Sequence, residues 1–446
     1  MRTMLSFLFA LLLASVFAQS SLAHESADVL TSKAVSENAP ESSAAISELR
    51  AMGPAGLSVL RERYAKEIDR HVTDPSLLSS REWQRITTAL DAVSQQKDSY
   101  ISGLYWYTDF QEARKASRDS GKPIVSLRLL GKLSEEFSCA NSRFFRTVLY
   151  SNAQVAAALR ERFILHWQSV RPAPRVTIDF GDGRKLERTL TGNSIHYILD
   201  SAGRPIDALP GLYGPQAFLR GLGEAEDIFK NLQGQDPTKR QRMLASYYSD
   251  RSSKINIDWL AETTKFGGKL PLGVVVQKDQ NGKAIAIGPL AVTKMITEGS
   301  ILRSIISGAE ALGRITDESA WKQIALLHLA DAKLDHQSIA LIKRQTQNLP
   351  ATTGDGLSPA KRFDNLLQTL ELSIAMDTVR NEYLLHTKLY GMLTLDPSRD
   401  NVEKLNEKVY AELFLTPRSD AWLGLFSPEI YTALENGGVI QHPERF

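Results

Sequence analysis

Apolar residues recur at helical spacing near the start of the chain, from Ala44 onward. Gly53-Pro54 interrupts the first stripe, and Ser79 or Ser80 can cap a second helix that ends near Gln96. The two stripes consist of Ile46, Leu49, Leu57, Leu60, Tyr64 and Ile68, then Trp83, Ile86, Leu90 and Val93. We expect a helical hairpin over residues 44–100, with these stripes in its core.

In the middle of the chain, short apolar and β-branched runs alternate with turn residues, which is typical of strands. The predicted strands are Ile124 to Leu130, Phe163 to Gln168, Val176 to Phe180, Arg184 to Leu190 and Ser194 to Leu199. The third and fourth flank Gly181-Asp182-Gly183, so they are predicted to form a hairpin. Between the first two strands the apolar spacing is helical, and a closing helix is expected from Gln216 to about Leu222.

The last part of the chain is mostly helical in pattern. A polar stretch from Lys239 to about Lys254 precedes a predicted hairpin around Asp279-Gln280-Asn281-Gly282. Helical spacing prevails from Leu290, and a short helix is expected between Ser427 and Gly437. We therefore predict a connector with a β-hairpin over residues 234–298 and a helical C-terminal domain over 299–446.

The first residues have the pattern of a secretory signal peptide. Arg2 precedes an apolar run from Leu5 to Ala18, and Ser21-Leu22-Ala23 offers a small-x-small cleavage site before His24. We expect residues 1–23 to be removed, 24–43 to form a flexible leader, and the mature protein to be secreted or periplasmic with no membrane partner. The competing interpretation is an uncleaved anchor, although the apolar run is shorter than the roughly 20 residues that span a bilayer.

Composition narrows the functional classes. The chain has 446 residues, 43% of them hydrophobic and 23% charged, with a formal net charge of +2. These values are ordinary for a globular protein, and the chain lacks a lysine-arginine run with interleaved aromatics, so we expect no nucleic-acid partner. A single cysteine and scattered histidines give no metal-ligand spacing, and we expect neither a metal nor a cofactor.

The single cysteine, Cys139, lies where a predicted strand gives way to a helix. Ser138 or Cys139 falls at the predicted helix N-terminus, where unpaired backbone N–H groups stabilise a thiolate, and Arg143 or Arg146 would add to that effect. The alternative is that Cys139 is a small, buried and inert apolar residue, as many lone cysteines are.

Four stretches follow one another in a distinctive order. They are Gly121-Lys122-Pro123, Cys139-Ala140-Asn141-Ser142, Val155 to Phe163, and Ser194 to Gly203, which ends in an Asp-x-x-Gly turn. With the second stretch in place of a C-x-x-C turn, residues 101–233 resemble a thioredoxin-like domain. The resemblance implies an α+β fold: a thioredoxin-like α/β sandwich with a hairpin insertion, preceded by the helical hairpin and followed by the mainly helical domain. It also implies that Cys139 and Ser142 occupy the catalytic positions.

Three departures separate the chain from that family's chemistry. Ser142 replaces the second cysteine, so a mixed disulfide cannot be resolved within the chain. Ser194 replaces the proline that enters the later strand through a cis bond, and a trans bond is expected because a non-proline cis bond costs about 3 kcal/mol. The loop from Gly131 to Ser138 is also longer than the family's.

Two histidines are further candidates. His166 and His196 lie on predicted central strands, so one or both could approach Cys139 or Ser194 and take a thiol proton. The alternative is that each is a hydrogen-bonded core residue.

Two functional hypotheses remain. In the first, Cys139 forms mixed disulfides with exported proteins or small thiols, and an external thiol resolves them. In the second, which we favour, the fold has lost dithiol chemistry and is a binding or assembly module for other exported proteins, with the hairpin and the helical tail making contacts.

Overall fold

The computed structural model describes residues 27–77, 79–190, 192–266, 318–347, 356–423, 433–434 and 439. The predicted signal peptide and the hairpin around residues 279–282 lie outside them, and so does the predicted helix between Ser427 and Gly437 except for residues 433–434. The α+β class is confirmed. The strands are β1 (Ile124–Leu130), β2 (Ile164–Arg171), β3 (Arg175–Asp179), β4 (Lys185–Thr189), β5 (Ile195–Leu199) and β6 (Pro205–Pro210).

A mixed four-stranded sheet lies at the centre, in the order β2-β1-β5-β6. β1 and β2 are parallel, whereas β5 is antiparallel to both β1 and β6. β3 and β4 form the predicted hairpin as a separate antiparallel pair. The sequence did not predict β6, because prolines stand at both of its ends, and such a strand is tolerated at the edge of a sheet.

The N-terminal region contains more helices than the predicted hairpin. The helices are α1 (residues 27–34), α2 (Ala39–Ala51), α3 (Pro54–Arg63), α4 (Ala65–Thr73), α5 (Arg81–Ser94) and α6 (Ser99–Ser102). We expected a flexible leader over 24–43, but α1 lies within it, and Ala34 and Val35 are buried. The buried residues of α1 and its end, Thr31, Ala34 and Val35, are small, so the segment has a weak apolar pattern.

Helices also surround the sheet. They are α7 (Phe110–Ser120), α8 (Ala140–Phe144), which continues as a π-helical turn (Phe145–Leu149), α9 (Ala153–Arg162), α10 (Pro215–Leu232) and α11 (Pro237–Lys265). The polar stretch that we assigned to a connector lies in the 29-residue α11. Its polarity reflects exposure, since only Tyr248, Ile255 and Thr263 of this helix are buried.

The C-terminal helices share a hydrophobic core with the sheet. They are α12 (Glu318–Leu327), α13 (His336–Thr346), α14 (Pro359–Arg380) with a π-helical turn (Asn381–His386), α15 (Thr387–Leu395), and α16 (Val402–Lys408) with a second turn (Val409–Leu413). The hydroxyl of Tyr197 on β5 donates to Oδ1 of Asn406 on α16 (3.3 Å). The region that we predicted as a separate helical domain therefore completes the core of the central one.

The two faces of the sheet carry different partners. On β1, Ser126 and Leu127 point to opposite faces because side chains alternate along a strand. The Ser126 face is covered by α7 and α16, since Arg128 on that face pairs with Glu403 (2.7 Å) and lies beside Phe110. The Leu127 face is covered by the Phe145–Leu149 turn and by α10.

A buried ion pair fixes the edge strand β6 to the helices. Asp207 on β6 accepts a hydrogen bond from the Tyr247 hydroxyl and lies 3.6 Å from Nε2 of His386. Burial alone would lower the pKa of His386, but Glu382 (2.9 Å from Nδ1) and Asp207 raise it to about 9. His386 is therefore protonated at neutral pH and joins β6 to the helical region.

Two leucine substitutions test whether α16 covers the sheet. Leu405→Ala on α16 removes a fully buried side chain, so we expect the free energy of unfolding to fall by about 2–5 kcal/mol. The matched control Leu395→Ala removes a side chain that is 80% exposed, and should change it by less than about 0.5 kcal/mol. Urea unfolding measures both, and equal effects would contradict the assigned packing.

Candidate functional site

Cys139 lies at the start of α8, at the end of β1, as the sequence predicted. Its backbone N–H donates to the carbonyl of Leu130 (3.1 Å), and its own carbonyl accepts the first bond of the helix, from Arg143 N–H (3.2 Å). The long loop before it is held by Arg146, whose Nη1 donates to the carbonyl of Glu135 (3.0 Å). The buried guanidinium of Arg146 therefore organises the loop and does not face the thiol.

Two hydroxyl groups contact the thiol. Sγ of Cys139 lies 3.2 Å from Oγ of Ser194 and 3.6 Å from Oγ of Ser142. The Ser142 hydroxyl donates its proton to the Cys139 carbonyl (2.8 Å), so its oxygen accepts from the thiol. In the shorter contact, either the thiol or the Ser194 hydroxyl can be the donor.

The thiol is covered on every side. Cys139 is 0% exposed. The backbone of Gly192, with φ of +95°, passes so close that a Cβ there would lie 3.0 Å from Cβ of Cys139. Burial raises the pKa of Tyr150 and Tyr410 well above the usual range for tyrosine, and the neighbouring Cys139 adds to both shifts. Both phenol groups therefore lie within electrostatic range of the thiol.

Tyr410 closes the site from the C-terminal region. Its hydroxyl donates to the carbonyl of Asn193 (2.7 Å), the residue before Ser194. The hairpin contributes from the other direction, because Oγ1 of Thr189 donates to the carbonyl of Ser138 (3.3 Å). Two segments that are distant in sequence thus cover the N-terminus of α8.

The remaining predicted neighbours take structural positions. Arg143 donates from Nη2 to Oγ1 of Thr189 (3.0 Å), which ties α8 to the hairpin. Ser138 is buried with no hydrogen-bond partner for its hydroxyl in the part of the chain that the structure describes, and the same holds for the amide of Asn141. Ser194 enters β5 through a trans peptide bond, as expected.

The two histidines lie on opposite faces of the sheet, so they cannot act together on Cys139. Nδ1 of His166 pairs with Oγ of Ser126 (2.9 Å) and Nε2 of His196 with the hydroxyl of Tyr150 (2.7 Å). Burial lowers the pKa of each to about 3, with Arg128 adding to the shift of His166. Both are neutral core residues at physiological pH, which agrees with the alternative left open by the sequence.

Sequence reasoning missed Tyr150 and Tyr410 as neighbours of the thiol. Tyr150 follows the predicted helix and could have been placed on its inner side. Tyr410 lies 217 residues from its partner Asn193, and no local pattern indicates such a contact.

Within the described ranges, His, Cys, Asp and Glu side chains do not gather in any group of three or more that could hold a metal ion. None of the helices searched there is both long enough and apolar enough to cross a bilayer. No protein-family model, curated protein or solved structure matches this chain.

The neutral state of His196 predicts a pH dependence. Its pKa is near 3 when folded and near 6.5 when unfolded, so between these values only the unfolded state binds the proton. Stability is therefore complete above about pH 6.5 and falls as the pH is lowered. The wild-type protein should therefore lose unfolding free energy between pH 7 and pH 4.5. In His196→Gln this loss should be smaller by about 2 kcal/mol.

Urea unfolding at both pH values measures this difference. Tyr150→Phe is the control, because it removes the hydroxyl partner but keeps the imidazole. It should lower stability at both pH values and keep the wild-type pH dependence. An unchanged pH dependence in His196→Gln would show that His196 is not held neutral by burial.

Proposed function

We propose that this protein is an exported, thioredoxin-like binding or assembly module in which Cys139 is a structural residue without dithiol oxidoreductase activity. The observation that carries the proposal is the complete burial of Cys139, beside the hydroxyl groups of Ser142 and Ser194 and against the backbone of Gly192. A thiol must be accessible to attack a disulfide, and this one is fully buried.

The order of elements supports the thioredoxin-like assignment. A strand, the thiol-bearing helix and a parallel strand are followed by an antiparallel strand entered at Ser194 and by a closing helix, in the order on which the resemblance rests. The Asp-x-x-Gly turn also forms, since Gly203 N–H donates to the carbonyl of Asp200 (2.8 Å). Export rests on the signal pattern of residues 1–23.

The hairpin β3-β4 supports a role in binding other exported proteins. Most of its residues are exposed, and Phe180 beside its tip is 54% exposed. The hairpin is an insertion between the parallel and antiparallel parts of the sheet, so a partner can contact it without disturbing the core. Large exposed aromatic side chains are common at protein interfaces.

The alternative is monothiol exchange, in which Cys139 forms mixed disulfides with protein or small-thiol partners. The position of Cys139 at the N-terminus of a helical segment favours it, because backbone N–H groups there stabilise a thiolate. It requires the segments around Tyr410 and Thr189 to move away and Ser142 to reorient its hydroxyl.

Reaction with oxidised glutathione distinguishes the two. The folded wild-type protein should form the mixed disulfide at least about 100-fold more slowly than an exposed cysteine, because attack then requires local opening. Mass spectrometry after timed quenching measures the modified fraction. The matched control is Ser120→Cys in a Cys139→Ala background, which places the single thiol on the surface at the end of α7.

Rapid modification of folded wild-type protein, together with disulfide-linked partners that disappear in Cys139→Ala, would instead establish the monothiol function. Near-ultraviolet circular dichroism confirms that both proteins are folded during the reaction.

A further inference from the structure

A cavity lies at the opposite end of β1 from Cys139. It is a cavity of about 600 Å³ between the N-terminal helices and the edge of the sheet, reaching Lys122 just before β1. Cys139 is hydrogen-bonded to the last residue of β1, and the seven residues of a strand span about 20 Å. The cavity is therefore separate from the thiol, and its volume is in the usual range for small-molecule sites.

The charges of its lining are all of one sign. Arg61, Lys122 and Arg160 line the cavity, and neither aspartate nor glutamate does. Arg61 and Arg160 make no ion pair with a carboxylate among the described residues. Burial and, to a smaller extent, the charge of Arg160 lower the pKa of Arg61 to about 10. Arg61 is half-buried and Arg160 is more exposed. A charge withdrawn from water normally has a counter-charge beside it, and Arg61 has none among the described residues.

Backbone carbonyls neutralise only part of this charge. Nη1 of Arg61 donates to the carbonyls of Ser99 (3.1 Å) and Tyr100 (2.7 Å), and Nη1 of Arg160 donates to that of Ser102. These carbonyls belong to the single turn of α6, which cannot balance two full charges. Each guanidinium carries five N–H donors, so both retain donors for an anion.

The carboxylates near the cavity lie outside its lining. They include Glu112, whose charge adds to the effect of burial in raising the pKa of Tyr105 and Tyr107, and Asp335, which accepts a hydrogen bond from the backbone N–H of Ala153 (2.7 Å).

Glu62 and Asp69 line an adjoining cleft, which shares Arg61 with the cavity. Glu62 accepts a hydrogen bond from the hydroxyl of Ser58 (3.0 Å). Glu161 follows Arg160 in α9, but it is exposed and outside the lining. Arg160 and Lys122 line this cavity and not the adjoining cleft.

The rest of the wall is largely apolar or aromatic. It includes Leu57, Ile101, Tyr105, Tyr107, Phe163 and Ile164. Such a wall stabilises a hydrocarbon or aromatic group through its removal from water. Paired guanidinium groups beside it match carboxylate and phosphate oxygens.

We infer that this cavity binds a small amphipathic anion, a carboxylate or phosphate head group on an apolar body, with Arg61 and Arg160 contacting the head group. The inference extends the binding function proposed above and does not depend on the state of Cys139.

The test uses decanoate and the fluorescent anion 1-anilinonaphthalene-8-sulfonate with the mature protein. Decanoate should bind at one site and displace the fluorescent anion, and higher salt should weaken it. Arg160→Gln should weaken decanoate binding at least about 10-fold, the effect of losing a charge-assisted hydrogen bond. Ala153→Trp should abolish binding because an indole would fill the cleft that Ala153 lines.

Arg118→Gln on the exposed part of α7 is the charge-matched control and should leave binding unchanged. 1-Decanol has the apolar body without the charge, and inorganic phosphate has the charge without the apolar body. The two compounds therefore test the two parts of the ligand separately. Four results would each overturn the inference: no binding of either anion, wild-type affinity in Arg160→Gln, equal affinity for 1-decanol, or displacement by inorganic phosphate as effective as by decanoate. Circular dichroism verifies that each variant is folded.

Discussion

The complete burial of three neighbouring strands is the constraint on which this structure depends. Every residue of β1, β5 and β6 is buried, including Ser126, Arg128 and Asp207. A sheet buried on both faces needs a cover on each, and its polar side chains need partners inside the protein. Glu403 on α16 supplies the ion pair for Arg128, 275 residues along the chain, and His386 supplies the one for Asp207. The C-terminal helices therefore stabilise the sheet.

The position of Cys139 follows from this cover. The N-terminus of α8 would present a thiol to solvent if the end of β1 were open. Here the helical region that covers the Ser126 face continues to Tyr410, whose hydroxyl binds the backbone beside Ser194. The hairpin adds Thr189 from the other side. The same contacts that bury the sheet thus place the thiol in the interior, while a charged cavity stays open at the far end of β1.

Local patterns in the sequence were enough to place most of the central strands and the start of α8. The β-branched run of β1 and the Gly-Asp-Gly turn of the hairpin carry this information within a few residues. The role of Tyr410, the pairing of Arg128 with Glu403 and the cluster of Arg61 with Arg160 depend on contacts between distant segments, which no local period encodes. The length of α11 was missed because a largely exposed helix has few apolar residues to mark it. To predict that His166 and His196 point to opposite faces, one needs the register of the strands, which the sequence does not give.

The urea dependence of Cys139 alkylation tests the central claim most directly. If the cover of the sheet seals the thiol, modification requires the structure to open, and its rate should rise exponentially with urea, with a slope close to that of global unfolding. A rate that is independent of urea below the unfolding transition and equal to that of an exposed cysteine would contradict the account.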